Sequence, residues 1–200
     1  MATGLKRMAL AGGSFLAALA LLTSALVTDR GEVAVRMDGS ENTFDLVVAG
    51  EWGNPGWLPQ ASDWGEGDAR PYRVALPSGA VLAPGGTVNL RVAAKNASPR
   101  IAGALTLEIR DPDPLGVARN PKTGNHLELF NQLEFTVKQE SEVIYDHVSA
   151  TGLGKRSVAE SLAPQDFIIF DVQIGLPQNL GNEWQGATTG VEFHFEGEGL

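Results

Sequence analysis

The sequence predicts an all-β protein, a jelly-roll-like antiparallel β-sandwich with a few short helical turns. Two observations carry this reading. Residues 191–196 alternate strictly, with Val191, Phe193 and Phe195 on one side and Glu192, His194 and Glu196 on the other. That is the period of a strand with one face buried and one in water. The chain also holds 24 Gly and 11 Pro in 200 residues, enough turn formers to punctuate many short strands.

The length fits one domain behind a leader. Residues 1–25 read as a signal peptide. Lys6 and Arg7 give a positive start, 8–22 is apolar and small, and Thr23-Ser24-Ala25 offers small residues for cleavage. The competing reading is an uncleaved membrane anchor, since the uncharged run 8–27 approaches the length of a span. Its glycine, serine and threonine content favours the leader. Residues 26–200 are then a single sandwich domain, large enough to bury a core without staples.

Within that domain, Val33, Val35 and Met37 alternate with Glu32, Ala34 and Arg36, and Phe44, Leu46 and Val48 share one face of a second strand. The first of these, within 26–37, admits two readings. It is either the first strand of its own sheet or a donor strand that pairs with the edge of a neighbouring molecule. In the second case backbone hydrogen bonds supply affinity and alternate side chains supply fit. Residues 51–73 hold Trp52, Trp57 and Trp64 among Gly, Pro and Asp, too irregular for a helix or a long strand. Their rings either form a ligand-binding face for glycan or protein or tuck onto the sandwich as a folded-back loop.

Val88, Leu90 and Val92 alternate in the next strand, and Leu105, Leu107 and Ile109 in the one after, with a short turn around Asn96 expected to pair them. Asn96-Ala97-Ser98 has the form of a glycosylation acceptor, taken as chance. Asp111-Pro112-Asp113-Pro114 is a tight acidic turn that lacks the further oxygens a calcium ion needs. Residues 127–137 read as a helical turn running into a strand that resumes at 143–145. Ser157 and Glu160 have capping-box spacing, so 158–162 is expected to be a helical turn. In 166–175, Phe167 and Ile169 are expected to face the core, with a change of phase near Asp171. The expected core is Leu105, Leu107, Ile109, Phe167, Ile169, Phe193 and Phe195.

Several of these pieces resemble the TasA/camelysin family of secreted Gram-positive proteins, several of which assemble into biofilm matrix fibres. The resemblance rests on Phe44-Asp45-Leu46, on Asp171, Gln173 and Ile174, on Gln185-Gly186, and on Phe193, Phe195 and Glu196. It rests also on two turns similar to the family's LxPGD, Leu82-Ala83-Pro84-Gly85-Gly86 and Leu162-Ala163-Pro164-Gln165-Asp166. It spans most of 44–196, with the tryptophan segment unmatched. The resemblance implies export, a jelly-roll sandwich and self-assembly into extracellular or cell-surface fibres.

Composition narrows the function classes. The net charge of -9 argues against a nucleic-acid partner, because phosphates call for a basic surface. The chain has no cysteine, which excludes disulfides and a lipid anchor on cysteine. Camelysin members have been described as metalloproteases, yet His126, His147 and His194 belong to no HExxH. Glu192, His194 and Glu196 share a strand face, but neighbours two apart stand roughly 6.5–7 Å from each other along a strand, so one ion cannot readily use all three. Gly152-Leu153-Gly154-Lys155 lacks the full length and context of a phosphate loop. The expectation is a non-enzymatic protein with no cofactor. Its partners are copies of itself and other matrix or cell-surface components, with no membrane contact after leader cleavage. The alternatives are a monomeric binding module using Trp52, Trp57 and Trp64, and a camelysin-like metalloprotease.

Overall fold

Two antiparallel layers face each other across one core. The computed structural model describes residues 44–66 and 82–200. The leader and residues 26–37, with Val33, Val35 and Met37, lie outside the described residues. The strands are β1 (Leu46–Trp52), β2 (Gly65–Glu66), β3 (Thr87–Asn96), β4 (Gly103–Arg110), β5 (Glu134–Gln139), β6 (Glu142–Ser149), β7 (Arg156–Leu162), β8 (Phe167–Gly175) and β9 (Glu192–Gly199). One sheet has the order β2-β1-β3-β8-β5-β6 and the other β7-β4-β9. The all-β sandwich is therefore what the chain forms.

Alternation decides which side chains meet in the middle. Trp52, Leu90, Val172, Val137 and Tyr145 form one row across β1, β3, β8, β5 and β6 on the inner face. Leu105, Leu107 and Ile109 of β4 descend onto that face, all of them buried. Phe195 of β9 stacks on Phe170 of β8 with ring centroids 5.5 Å apart, joining the two sheets. Phe193 and Phe195 are only half-buried, packed against the core and not enclosed by it.

Two turns set the centre of the large sheet. In 82–86 and 162–166, Gly85 and Gln165 both take positive φ, 76° and 67°, and the following N–H closes the turn onto the alanine carbonyl. Gly85 N–H donates to Leu176 and Leu176 N–H to Gly86. In the same pattern, Gln165 N–H donates to Asn96 and Asn96 N–H to Asp166. The similar turns thus start β3 and β8 from opposite ends of one antiparallel ladder. Each of those strands then crosses to the small sheet as β4 or β9, and β4 and β9 pair with each other.

Three local expectations are corrected. Phe167 and Ile169 point away from the core, and Phe170, Val172 and Ile174 point into it without a change of phase. The run Phe-Ile-Ile-Phe has no alternation of its own. The register is set downstream, where Asp171 must stay outside to meet Arg91. The segment 158–162 is strand, not a helical turn. Two register shifts against β4 each insert an extra β7 residue, so Val158 and Leu162 turn inward while Glu160 and Ser161 stay out, a spacing that imitates a helix. β3 and β4 do not pair, because the chain at Asn96–Ser98 crosses between sheets and is no hairpin. The stretch 127–137 behaves as read, with a 3₁₀ turn at Phe130–Gln132 before β5.

Candidate assembly edge

The chain enters the described fold through Phe44, which is 7% exposed. Its ring lies on a floor of glycines. A Cβ on Gly103 of β4 or on Gly197 of β9 would overlap the ring, and one on Gly199 would come within 3.5 Å of Phe44 Cβ. Glycine in a strand often marks such a close approach. The next residue is fixed as firmly. Asp45 N–H donates to Ser98 Oγ at 2.8 Å, and Asp45 C=O accepts from Ala97 N–H at 2.8 Å.

Behind this entry sits a buried polar knot. Asn96 is fully enclosed, and its amide donates to Ile101 C=O at 2.8 Å and Leu162 C=O at 3.0 Å while accepting from Ser98 N–H at 3.0 Å. Gln165 Nε2 donates to the carbonyls of Ala97 and Ser98. Three chain segments, at 45, 96–101 and 162–165, are tied at one end of the sandwich. Asn96 has no free amide hydrogen in the folded protein, so the formal acceptor is structural.

The entry therefore stands beside the last residues of β9. That strand has β4 on one side and, among the described residues, no strand on the other. Its outward side carries ion pairs: Arg110 holds Glu192 through Nε at 3.0 Å and Nη2 at 2.6 Å, and Lys155 bonds Glu196. Its inward side shows Phe193 and Phe195, half-buried. Six strands face three, and among the described residues β9 is one of the two edge strands of the three, β7 being the other.

The tryptophans do not form one face. Trp52 packs inward against the core, whereas Trp64 lies over the opposite, outer face of the large sheet, edge-on to Phe167 at 5.7 Å and near Lys95. Trp57 is half-buried, and its carbonyl accepts from Arg91 Nη1 at 2.9 Å. The described part of this segment, residues 51–66, folds back onto the sandwich. The reading in which the rings tuck onto the sheet describes it better than a shared binding face of all three.

The histidines are drawn to separate partners. His194 Nδ1 is 3.8 Å from Glu192 Oε1, but Glu192 is held by Arg110 and Glu196 by Lys155. His126 stacks on Trp184 at 3.9 Å and its Nε2 accepts from Arg119, and His147 meets Asp146. Among the described residues, no group of three or more His, Asp or Glu is placed to hold a metal ion.

A carboxyl pair went unread in the sequence. Glu128, 6% exposed, accepts the N–H groups of Leu115 and Gly116 at 2.8 and 2.6 Å. Asp111 stands against it, and Asp111 Oδ2 is buried without another partner. The contact with Asp111 and then burial hold the Glu128 carboxyl above its ordinary pKa, against the two N–H bonds that lower it. A proton on Glu128 supplies the donor that Asp111 Oδ2 lacks. Asp113 N–H closes onto Asp111 Oδ1 at 2.9 Å, so the acidic stretch is a turn, as read.

Comparison of the chain with protein-family models and with characterised proteins finds no match.

Proposed function

We propose that this protein is an exported structural subunit that assembles into extracellular or cell-surface fibres by donating its N-terminal strand to the next subunit. The observation that carries the reading is the edge of β9, which has no strand beside it among the described residues, together with Phe44, through which the N-terminal segment enters, packed on Gly197 of that strand. An unpaired edge is a template for strand addition. Residues 31–37 have the matching alternation, with Val33, Val35 and Met37 on one side to lie beside Phe193 and Phe195. A contact between two different surfaces of the same chain does not close on itself, so it propagates as a filament. The resemblance to TasA/camelysin proteins supplies the biofilm-matrix role.

The deciding experiment is electron microscopy of a form spanning 26–200 against one spanning 38–200. Fibres from the longer form alone, with the shorter one folded and monomeric, support strand donation. Dispersed particles from both, across pH and at high concentration, sink it and favour a monomeric binding module.

A further inference from the structure

The outer face of β9 carries a row of charges that β4 matches only in part. Along it run Glu192, His194, Glu196 and Glu198, opposite Arg110, Glu108, Thr106 and Ala104 of β4. Both bonds from Arg110 land on Glu192 Oε1, and Glu192 Oε2 has no partner among the described residues. Lys155 holds Glu196. Glu198 is exposed and lies across from an alanine, and its carboxylate has no partner among the described residues. Opposite charges across a ladder are favourable and like charges are not, so this row selects among strands that add to the edge.

The N-terminal segment has a row to set against it. With Val33, Val35 and Met37 turned inward, Arg30, Glu32, Ala34 and Arg36 face outward. Arg30 and Arg36 are six residues apart, and so are Glu192 and Glu198. Two alignments therefore seat both arginines on glutamates, one parallel to β9 and one antiparallel. They differ in the middle. The antiparallel alignment sets Glu32 beside Glu196. The parallel one sets Glu32 beside His194, whose ring can donate a hydrogen bond, and the small Ala34 beside the Lys155–Glu196 pair. Parallel ladders are only slightly less stable per residue, so one like-charge contact is enough to decide. On the inner side the same register sets Val33 beside Phe195, and Val35 and Met37 beside Gly197 and Gly199, where the Phe44 ring supplies the bulk that the glycines lack.

We propose that residues 30–37 of a neighbouring subunit lie parallel to β9, with Arg30 at Glu192, Glu32 at His194 and Arg36 at Glu198, and that these contacts fix the register of assembly. This rests on strand donation as the mode of assembly, and adds the direction of the donated strand and the residues that select it. A slip of one residue turns Val33, Val35 and Met37 to water. A slip of two in either direction brings Glu32 onto Glu192 or Glu196.

The chain has no cysteine, so introduced cysteines report the register directly. Subunits of the 26–200 form carrying Arg36→Cys are mixed with subunits carrying either Glu198→Cys or Glu192→Cys and oxidised mildly during assembly. Adjacent strands bring such pairs within disulfide reach, and the two target positions stand roughly 20 Å apart. The covalent dimer with Glu198→Cys is expected to exceed that with Glu192→Cys about fivefold or more. In a second readout, Arg36→Glu and Glu198→Arg should each raise the concentration needed for fibres about tenfold, with thermal unfolding unchanged. Both changes in one chain should restore most of the loss. Parent fibres that crosslink to Glu192→Cys, to both equally or to neither, or that the charge reversals leave unaltered, overturn the register and leave strand donation standing. A chain with both Arg36→Cys and Glu198→Cys that oxidises within itself while monomeric overturns the proposal as well, since its own segment then fills the edge. No fibres from the parent under any condition would remove strand donation and this register together.

Discussion

Arg91 and Asp171 face each other at the midpoint of the β3·β8 ladder, Nε to Oδ1 at 2.6 Å, with the two Leu-Ala-Pro turns equidistant on either side. The local two-fold relation of β3 and β8 thus passes through an ion pair. On the outer face the pair lies in a row of alternating charge, Glu51, Arg91, Asp171 and Lys138 across four adjacent strands. Opposite charges directly across a ladder are favourable neighbours.

The two members of the pair should not be equivalent. Asp171 is nearly half exposed, so the ion pair alone contributes little, about 0.5–1 kcal/mol. Arg91 also holds the Trp57 carbonyl and with it the loop over the sheet. Asp171→Asn should therefore cost about 1 kcal/mol or less in urea unfolding, and Arg91→Ala about 1 kcal/mol more. Only Arg91→Ala should red-shift the tryptophan emission. Equal costs with no spectral change would show that the loop does not depend on Arg91.

The Asp111–Glu128 contact sets a pH dependence of definite sign. A carboxyl whose folded pKa is raised contributes stability that is complete below its unfolded value and is lost as pH rises through its folded value. Stability should therefore fall as pH rises above the ordinary carboxylate range. Glu128→Gln can accept the N–H groups of Leu115 and Gly116 through its oxygen and donate to Asp111 Oδ2 through its amide. It should be more stable than the parent at neutral pH by about 1 kcal/mol and should flatten that part of the profile. Thermal melts of both proteins from acid to neutral pH decide it; a parallel pair of profiles would mean no shared proton.

The Asn96 knot should be expensive to untie. Asn96→Ala strands the carbonyls of Ile101 and Leu162 and the N–H of Ser98, and should cost about 3 kcal/mol. Asn96→Asp keeps the shape but replaces a donor with a buried charge, and should be at least as damaging. Denaturant unfolding measures both, and a cost below about 1 kcal/mol for either would mean that water replaces the lost bonds.

What could be read from the sequence was what alternates between water and core. β4 and β9 have one face of each kind, so Leu105, Leu107 and Ile109 stood out, and so did the pattern at Phe193 and Phe195. β8 begins with four apolar residues, which carry no phase, and its facing was set by Arg91, eighty positions away. β7 lost its period to two bulges. Asn96 resembled a turn residue because the same side chain that closes an Asx motif on Ser98 also serves turns. Asp111 and Glu128 are brought together only by the tertiary fold, so no local pattern announces them. Residues 33–37 gave the clearest functional suggestion, and they lie outside the described part.

The Phe44 floor offers the sharpest packing test. Gly103→Ala or Gly197→Ala places a methyl group where the Phe44 ring lies, and overpacking of this kind costs about 1–3 kcal/mol. Phe44→Ala alone leaves a hole and should cost about 3–4 kcal/mol. The combination Phe44→Leu with Gly197→Ala exchanges ring volume for the new methyl, so the two changes should cost less together than the sum of each alone, by about 1 kcal/mol or more. Additive costs would show that the ring moves aside freely. Because Phe44 is the first described residue, additive costs would also count against the proposed strand donation beside β9.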